Sequence, residues 1–215
     1  MTNTPDFEAA IEDVRRAYRI VWAYQRRVLD VIEAITTEFP ETRHYWWQTN
    51  SFDCLPARKT TDPLGRWAWD GLPLYNFSIL RLSEDGPDRY LPKLGRWMLE
   101  ISHNADHGWD EEASGEPDAS RFPQVDTVVS SLSVCLWRCD ANTGQEWWAG
   151  AWNDIEGWLG DGEIGQHADP FSDEATGLTG IGITRNVADI KTAEDASSLA
   201  NDLRRLGREV LQLQL

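Results

Sequence analysis

The chain is poor in lysine and cysteine and has no long apolar run. Lysine occurs three times (Lys59, Lys93, Lys191) against seventeen arginines. With 36 acidic and 20 basic residues, the formal net charge is -16. A protein that grips phosphates needs a basic footprint, and one held on anionic lipid by charge needs the same sign. Neither nucleic acid nor a membrane is therefore expected as a direct partner. No window approaches the roughly 18 consecutive apolar residues that span a bilayer. The opening residues, MTNTPDFEAAIEDV, have neither the basic region nor the apolar core of a secretory signal.

The cysteines are three: Cys54, Cys135 and Cys139. In a strand the last two would share a face about 13 Å apart, too far to bridge. Free thiols in a reducing cytoplasm are the expectation. No G-x-S-x-G occurs for nucleophilic catalysis. Gly160-Asp-Gly-Glu-Ile-Gly165 matches a dinucleotide loop in letters only. Its acids would repel a phosphate, and no helix start follows. No cofactor is expected.

Two helices frame the chain. Thr4 can cap and Pro5 suits the first helical position. Phe7, Ile11, Val14, Tyr18, Val21, Gln25, Val28, Ile32, Ile35 and Phe39 then recur at alternating spacings of four and three until Pro40. This predicts a helix over 5–39, about 50 Å long, with the narrow seam of a bundle or coiled coil. Near the other end Thr192 and Asp195 form a capping-box pattern. Ala196, Leu199, Leu203, Leu206, Val210 and Leu213 follow, predicting a helix over 192–213. Two matching seams predict that these helices pack together. A homodimer through residues 7–39 is the competing use of the first.

Between the helices the pattern is β. Asn76–Leu82 and Arg96–Ser102 alternate around a turn-rich stretch. Val125–Cys139 and Gln145–Trp152 flank DANTG, which predicts a hairpin. Gly177–Arg185 supplies a fifth strand. Residues 40–72 are rich in tryptophan and proline and read as an irregular wrap. Residues 103–124 and 157–176 read as long acidic loops. The whole, 1–215, reads as one α+β domain: helix 5–39, irregular segment 40–72, an antiparallel sheet of about five strands over 73–190, and helix 192–213.

Charge is unevenly placed. From Glu100 to Ala175 there are 17 acids and two arginines, Arg121 and Arg138, so this third carries 2 - 17 = -15 of the -16. Trp109, Trp137, Trp147, Trp148, Trp152 and Trp158 fall in the same stretch. An acid-rich composition alone would spread the charge along the chain. The concentration suggests a docking face, because aromatic anchors within a charged rim are the usual anatomy of a binding site. The candidate rim is Asp110, Glu111, Glu112, Glu146, Asp154 and Glu156, and the candidate anchors are Trp148 and Trp152. The expected partner is a basic protein, commonly one that binds nucleic acid, with the acids standing where phosphates would lie. Arg15, Arg16, Arg19, Arg26 and Arg27 on the first helix read as a solvated or ion-paired face.

His103, Asp106 and His107, followed by more acids, hold the donor types of a Zn or Mn site that would activate water. They lie in a stretch that reads as a loop, without a helical scaffold, so no metal is expected. His167 with Asp169 and Asp173 offers the same ingredients. Asp70 before one strand and Glu100 at the end of another have the layout of metal-dependent nucleases, but Ser102 stands where a basic residue belongs. The reading that follows is a non-catalytic acidic interaction module of inhibitor, antitoxin, immunity or anti-defence type, as bacteria and phages use. The alternatives are a metal-dependent hydrolase or nuclease built on His103, Asp106 and His107, and a self-assembling component that uses the first helix.

Overall fold

From Asp6 to Phe39 the sequence contains no glycine or proline, and α1 runs uninterrupted over Thr4–Thr37. The computed structural model describes residues 4–50, 68–72, 74–83, 89–108, 116–152, 154–155 and 163–215; for 4–7, 68, 70 and 148–150 it describes the backbone alone. α2, Ala193–Glu209, has 17 residues against the 34 of α1. It opens on the expected capping box: the Thr192 hydroxyl accepts from the Asp195 N–H, and the Asp195 carboxylate accepts from the Thr192 N–H. The helix stops at Glu209, short of 213. Leu211 and Leu213 are buried all the same, in a tail that turns through Gln212 at φ 53°.

The helices run in the same direction. Arg27 donates to the Ile190 carbonyl (2.9 Å), ahead of α2, and Arg204 donates to the Glu38 carbonyl (2.7 Å), at the end of α1. Arg204 also pairs with Glu41 at 2.7 Å. α2 thus begins beside Arg27, and its seam covers only the second half of the longer helix. Val28, Val31, Ile32, Ile35 and Phe39 are buried there. The first half departs from the expected packing. Ile11, Val14, Tyr18 and Val21 are 39%, 49%, 70% and 38% exposed, on the same spacing as the buried set.

The sheet has six strands, one more than expected: β1 Arg43–Thr49, β2 Asn76–Leu82, β3 Trp97–Asn104, β4 Ser131–Cys139, β5 Gly165–Asp173 and β6 Leu178–Asn186. Their order is β1-β2-β3-β4-β6-β5, every pair antiparallel. β1 lies inside the segment read as irregular, and β5 inside an acidic loop. Both are edge strands with a register shift, and β5 carries Pro170, which only an edge tolerates. The expected hairpin across DANTG does not form. Trp147–Trp152 is instead a single π-helical turn, with the Ala151 N–H bonded to the Glu146 carbonyl. β4 pairs with β6, and the excursion between them supplies that turn and β5.

Each face of the sheet holds its own apolar cluster. Phe77, Leu99, Ile101, Leu132, Val134, Leu136, Ile181 and Ile183 meet the two helices. On the other face Leu80, Leu82, Met98, Cys135, Trp137, Cys139 and Leu178 meet Trp147, Ala151, Trp152 and Ile155. Gly180 makes the second layer possible, since a Cβ there would stand 2.3 Å from the Trp137 ring. Cys135 and Cys139 share this face as buried free thiols. Among the described residues, no helix is long and apolar enough to cross a membrane.

Candidate functional site

The acidic third places most of its described carboxylates on the surface. Glu116, Asp118, Asp126, Asp140, Glu146, Asp154, Glu163, Asp169 and Glu174 are exposed. Arg121 pairs with Asp118, and Arg138 pairs with Asp140 at 2.5 Å. Burial raises the Asp140 carboxyl, but the Arg138 pairing together with a hydrogen bond from Thr179 holds it below its ordinary range. Asp126, Glu146, Asp154, Glu163, Asp169 and Glu174 have no arginine or lysine partner among the described residues. Of the expected rim, Glu146 and Asp154 are therefore surface groups. Asp110, Glu111, Glu112 and Glu156 lie outside the described residues.

The aromatic half of the expectation is corrected. Trp152 is 1% exposed and belongs to the second apolar cluster, as do Trp137 and Trp147. It closes the core over β3 and β4 and cannot serve as a surface anchor. The side chain of Trp148 is outside the described set. Among the described residues the exposed aromatics lie elsewhere: Tyr18 and Trp22 on α1, Trp46 and Trp47 on β1, and Tyr90.

The histidine cluster is divided by the sheet. His103 points to the helix side, where its Nε2 is 2.9 Å from the Tyr24 hydroxyl. Burial, reinforced by His107, lowers its pKa to about 4. His107 lies on the other side, with Nε2 2.7 Å from the Ser131 hydroxyl. Asp106 folds back on its own turn, accepting from the Gly108 N–H at 2.7 Å, while its carbonyl accepts from the Tyr75 hydroxyl. These three side chains thus hold strand and turn together and do not converge on a point. Among the described residues no three His, Cys, Asp or Glu side chains form a metal-binding group. Of the dinucleotide-like loop, Glu163–Gly165 is described, and Gly165 opens a strand.

Glu100, weighed above as a nuclease carboxylate, is a fully engaged buried acid. Its Oε2 accepts from the Trp137 indole N–H (2.6 Å) and its Oε1 from the Ser102 hydroxyl (2.7 Å). Ser102 continues to Ser78 across the strand pair, and Ser78 to Asn50. The charge of Glu100 also helps burial raise the Cys135 thiol well above its usual range. A buried carboxylate must be matched by donors, and here the structure supplies them. The spacing Glu100-x-Ser102, two polar residues on one face of a strand, is the sequence signal for this network.

A family model described as PM0109 matches residues 4–206. The chain belongs to this family. No curated protein and no solved structure matches it. The PM0109 match takes in both helices almost to the end of α2, and all six strands.

Proposed function

We propose that the protein is a non-catalytic binding module of the cytoplasm whose acidic surface docks on a basic partner protein, in the manner of an inhibitor, antitoxin, immunity or anti-defence protein. The observation that supports this is the unmatched surface charge. Six described carboxylates between Asp126 and Glu174 lack a cationic partner, in a third of the chain that carries -15. Self-repulsion of such a surface costs stability, and a basic partner relieves it while speeding encounter. Because Trp137, Trp147 and Trp152 are structural, charge rather than aromatic anchoring carries this recognition. A partner that binds nucleic acid offers the matching field.

The test begins with capture of partners from the native host, followed by association kinetics with the purified partner. Association is expected to slow as salt rises, since screening shortens to about 8 Å at physiological ionic strength. Reversing Glu146, Asp154, Glu163 and Asp169 to lysine should slow association without lowering the thermal midpoint. A partner whose binding ignores both salt and the reversals would refute the proposal.

A further inference from the structure

We infer that the exposed first half of α1 pairs with the same segment of a second copy, antiparallel, as a two-helix coil about a two-fold axis. This does not rest on the acidic docking surface and stands or falls separately.

The seam is one pattern with two fates. Val28, Ile32, Ile35 and Phe39 follow the four-three spacing and are buried against α2 and the sheet. Ile11, Val14, Tyr18 and Val21 continue it in register and are open. A solvated helix face has no reason to keep heptad spacing, whereas a helix partner requires it. The position before each first heptad residue is Ala10, Ala17, Tyr24 and Val31. The stripe is thus wider than the seam, and its two alanines let a second helix approach closely. α2 begins only beside Arg27, so about 30 Å of helix, Thr4–Ala23, is available for this contact.

Charge selects the occupant and the direction. From Thr4 to Arg27 the acids come first (Asp6, Glu8, Glu12, Asp13) and the bases follow (Arg15, Arg16, Arg19, Arg26, Arg27), with Arg16 already paired to Glu12 and Asp13 and Arg26 to Asp30 along the helix. Parallel pairing would set acids beside acids. Antiparallel pairing sets the acidic end of each helix along the basic stretch of the other, and an isologous two-fold contact does so twice. It also sets the two bodies toward opposite ends of the coil, with the two Tyr24 positions about 24 Å apart, roughly three screening lengths. The four-three spacing then gives four layers: Ile11 opposite Val21, Val14 opposite Tyr18, and their symmetry mates. A basic amphipathic helix can also lie on anionic lipid, but a chain of net charge -16 is repelled there.

Sedimentation of the full chain over a micromolar to sub-millimolar series should show a reversible monomer–dimer equilibrium. Val14→Asp and Tyr18→Asp should each weaken it by about tenfold or more, since each strands a charge in an apolar layer. Ile20→Asp, exposed but off the seam, should leave it intact. In a Cys54→Ser background, mild oxidation should cross-link a mixture of Val14→Cys and Tyr18→Cys chains, but not Val14→Cys chains alone. Four results would each overturn the inference: a monomer at every concentration, a dimer indifferent to both aspartates, cross-linking of Val14→Cys alone, or a monomer that binds phosphatidylserine vesicles through this helix.

Discussion

Tyr24 is the residue at which α1 meets the sheet, and its hydroxyl lies 2.9 Å from Nε2 of His103 on β3. The two rings are tilted at 50°, and the Phe77 ring centroid is 5.4 Å from that of the imidazole. Before Tyr24 the helix is open, and beyond it the helix is packed. A neutral histidine and a tyrosine therefore fasten the long helix to the body where its support begins.

That histidine makes stability depend on pH. His103 titrates near 4 when folded, mainly because it is buried, and near 6.5 when unfolded. Between these values the unfolded chain holds a proton that the folded chain lacks. The stabilisation is therefore complete above about 6.5 and is lost as pH falls towards 4, to the extent of about 3 kcal/mol. Urea midpoints at pH 7 and pH 4.5 should fall further for the native chain than for His103→Gln. Equal losses in the two proteins would contradict this role.

Gly180 is required by the ring above it. A methyl group there would collide with Trp137 at 2.3 Å, and that ring is fixed by its bond to Glu100 and by the edge of Phe171. Gly180→Ala should cost about 1–3 kcal/mol through overpacking, read as a lowered thermal midpoint. A midpoint within error of the native one would mean that the indole can move aside.

Trp152 and Trp22 should behave in opposite ways. Trp152→Ala removes a core side chain and should cost about 3–5 kcal/mol. Trp22 is 70% exposed, and Trp22→Ala should stay within about 0.5 kcal/mol. Denaturant titration of both variants decides the matter, and similar costs would displace Trp152 from the core.

Glu100 should show a difference between losing its charge and losing its oxygens. Glu100→Ala leaves the Trp137 N–H and the Ser102 hydroxyl without their acceptor and should cost about 2–3 kcal/mol or more. Glu100→Gln keeps one acceptor oxygen and should cost less. If the two variants unfold at the same denaturant concentration, the network contributes little.

The elements with a strong internal period were readable from sequence. The four-three seam gave α1, Thr192 with Asp195 gave the start of α2, and alternation gave β2 and most of β3. The errors share a physical cause. β1, RHYWWQT, is an edge strand in which a bulge breaks the alternation, so it resembled an aromatic loop. β5 carries Pro170 and a register shift at its edge, and its period was lost among acids. QEWWAGAW reads as a strand, but burial of Trp147, Ala151 and Trp152 follows a helical turn. The seam of α1 revealed that a partner helix was wanted and not how far α2 would reach. At the site, composition alone could place the acids near the surface. Whether a tryptophan faces out or closes a core depends on long-range pairing, and there the reading failed for Trp152.

Two apolar clusters on opposite faces of one sheet also shape how substitutions combine. Ile35 and Leu203 belong to the helix side, Trp147 and Met98 to the other, and the β-layer keeps them from touching. A loss of volume on one side cannot be refilled from the other. Paired substitutions drawn from opposite sides should therefore add, whereas pairs within one side that share a void should not. The sequence thus has two largely separate sets of co-dependent positions. The strand residues Leu136 and Trp137, neighbours in the chain, belong to different ones.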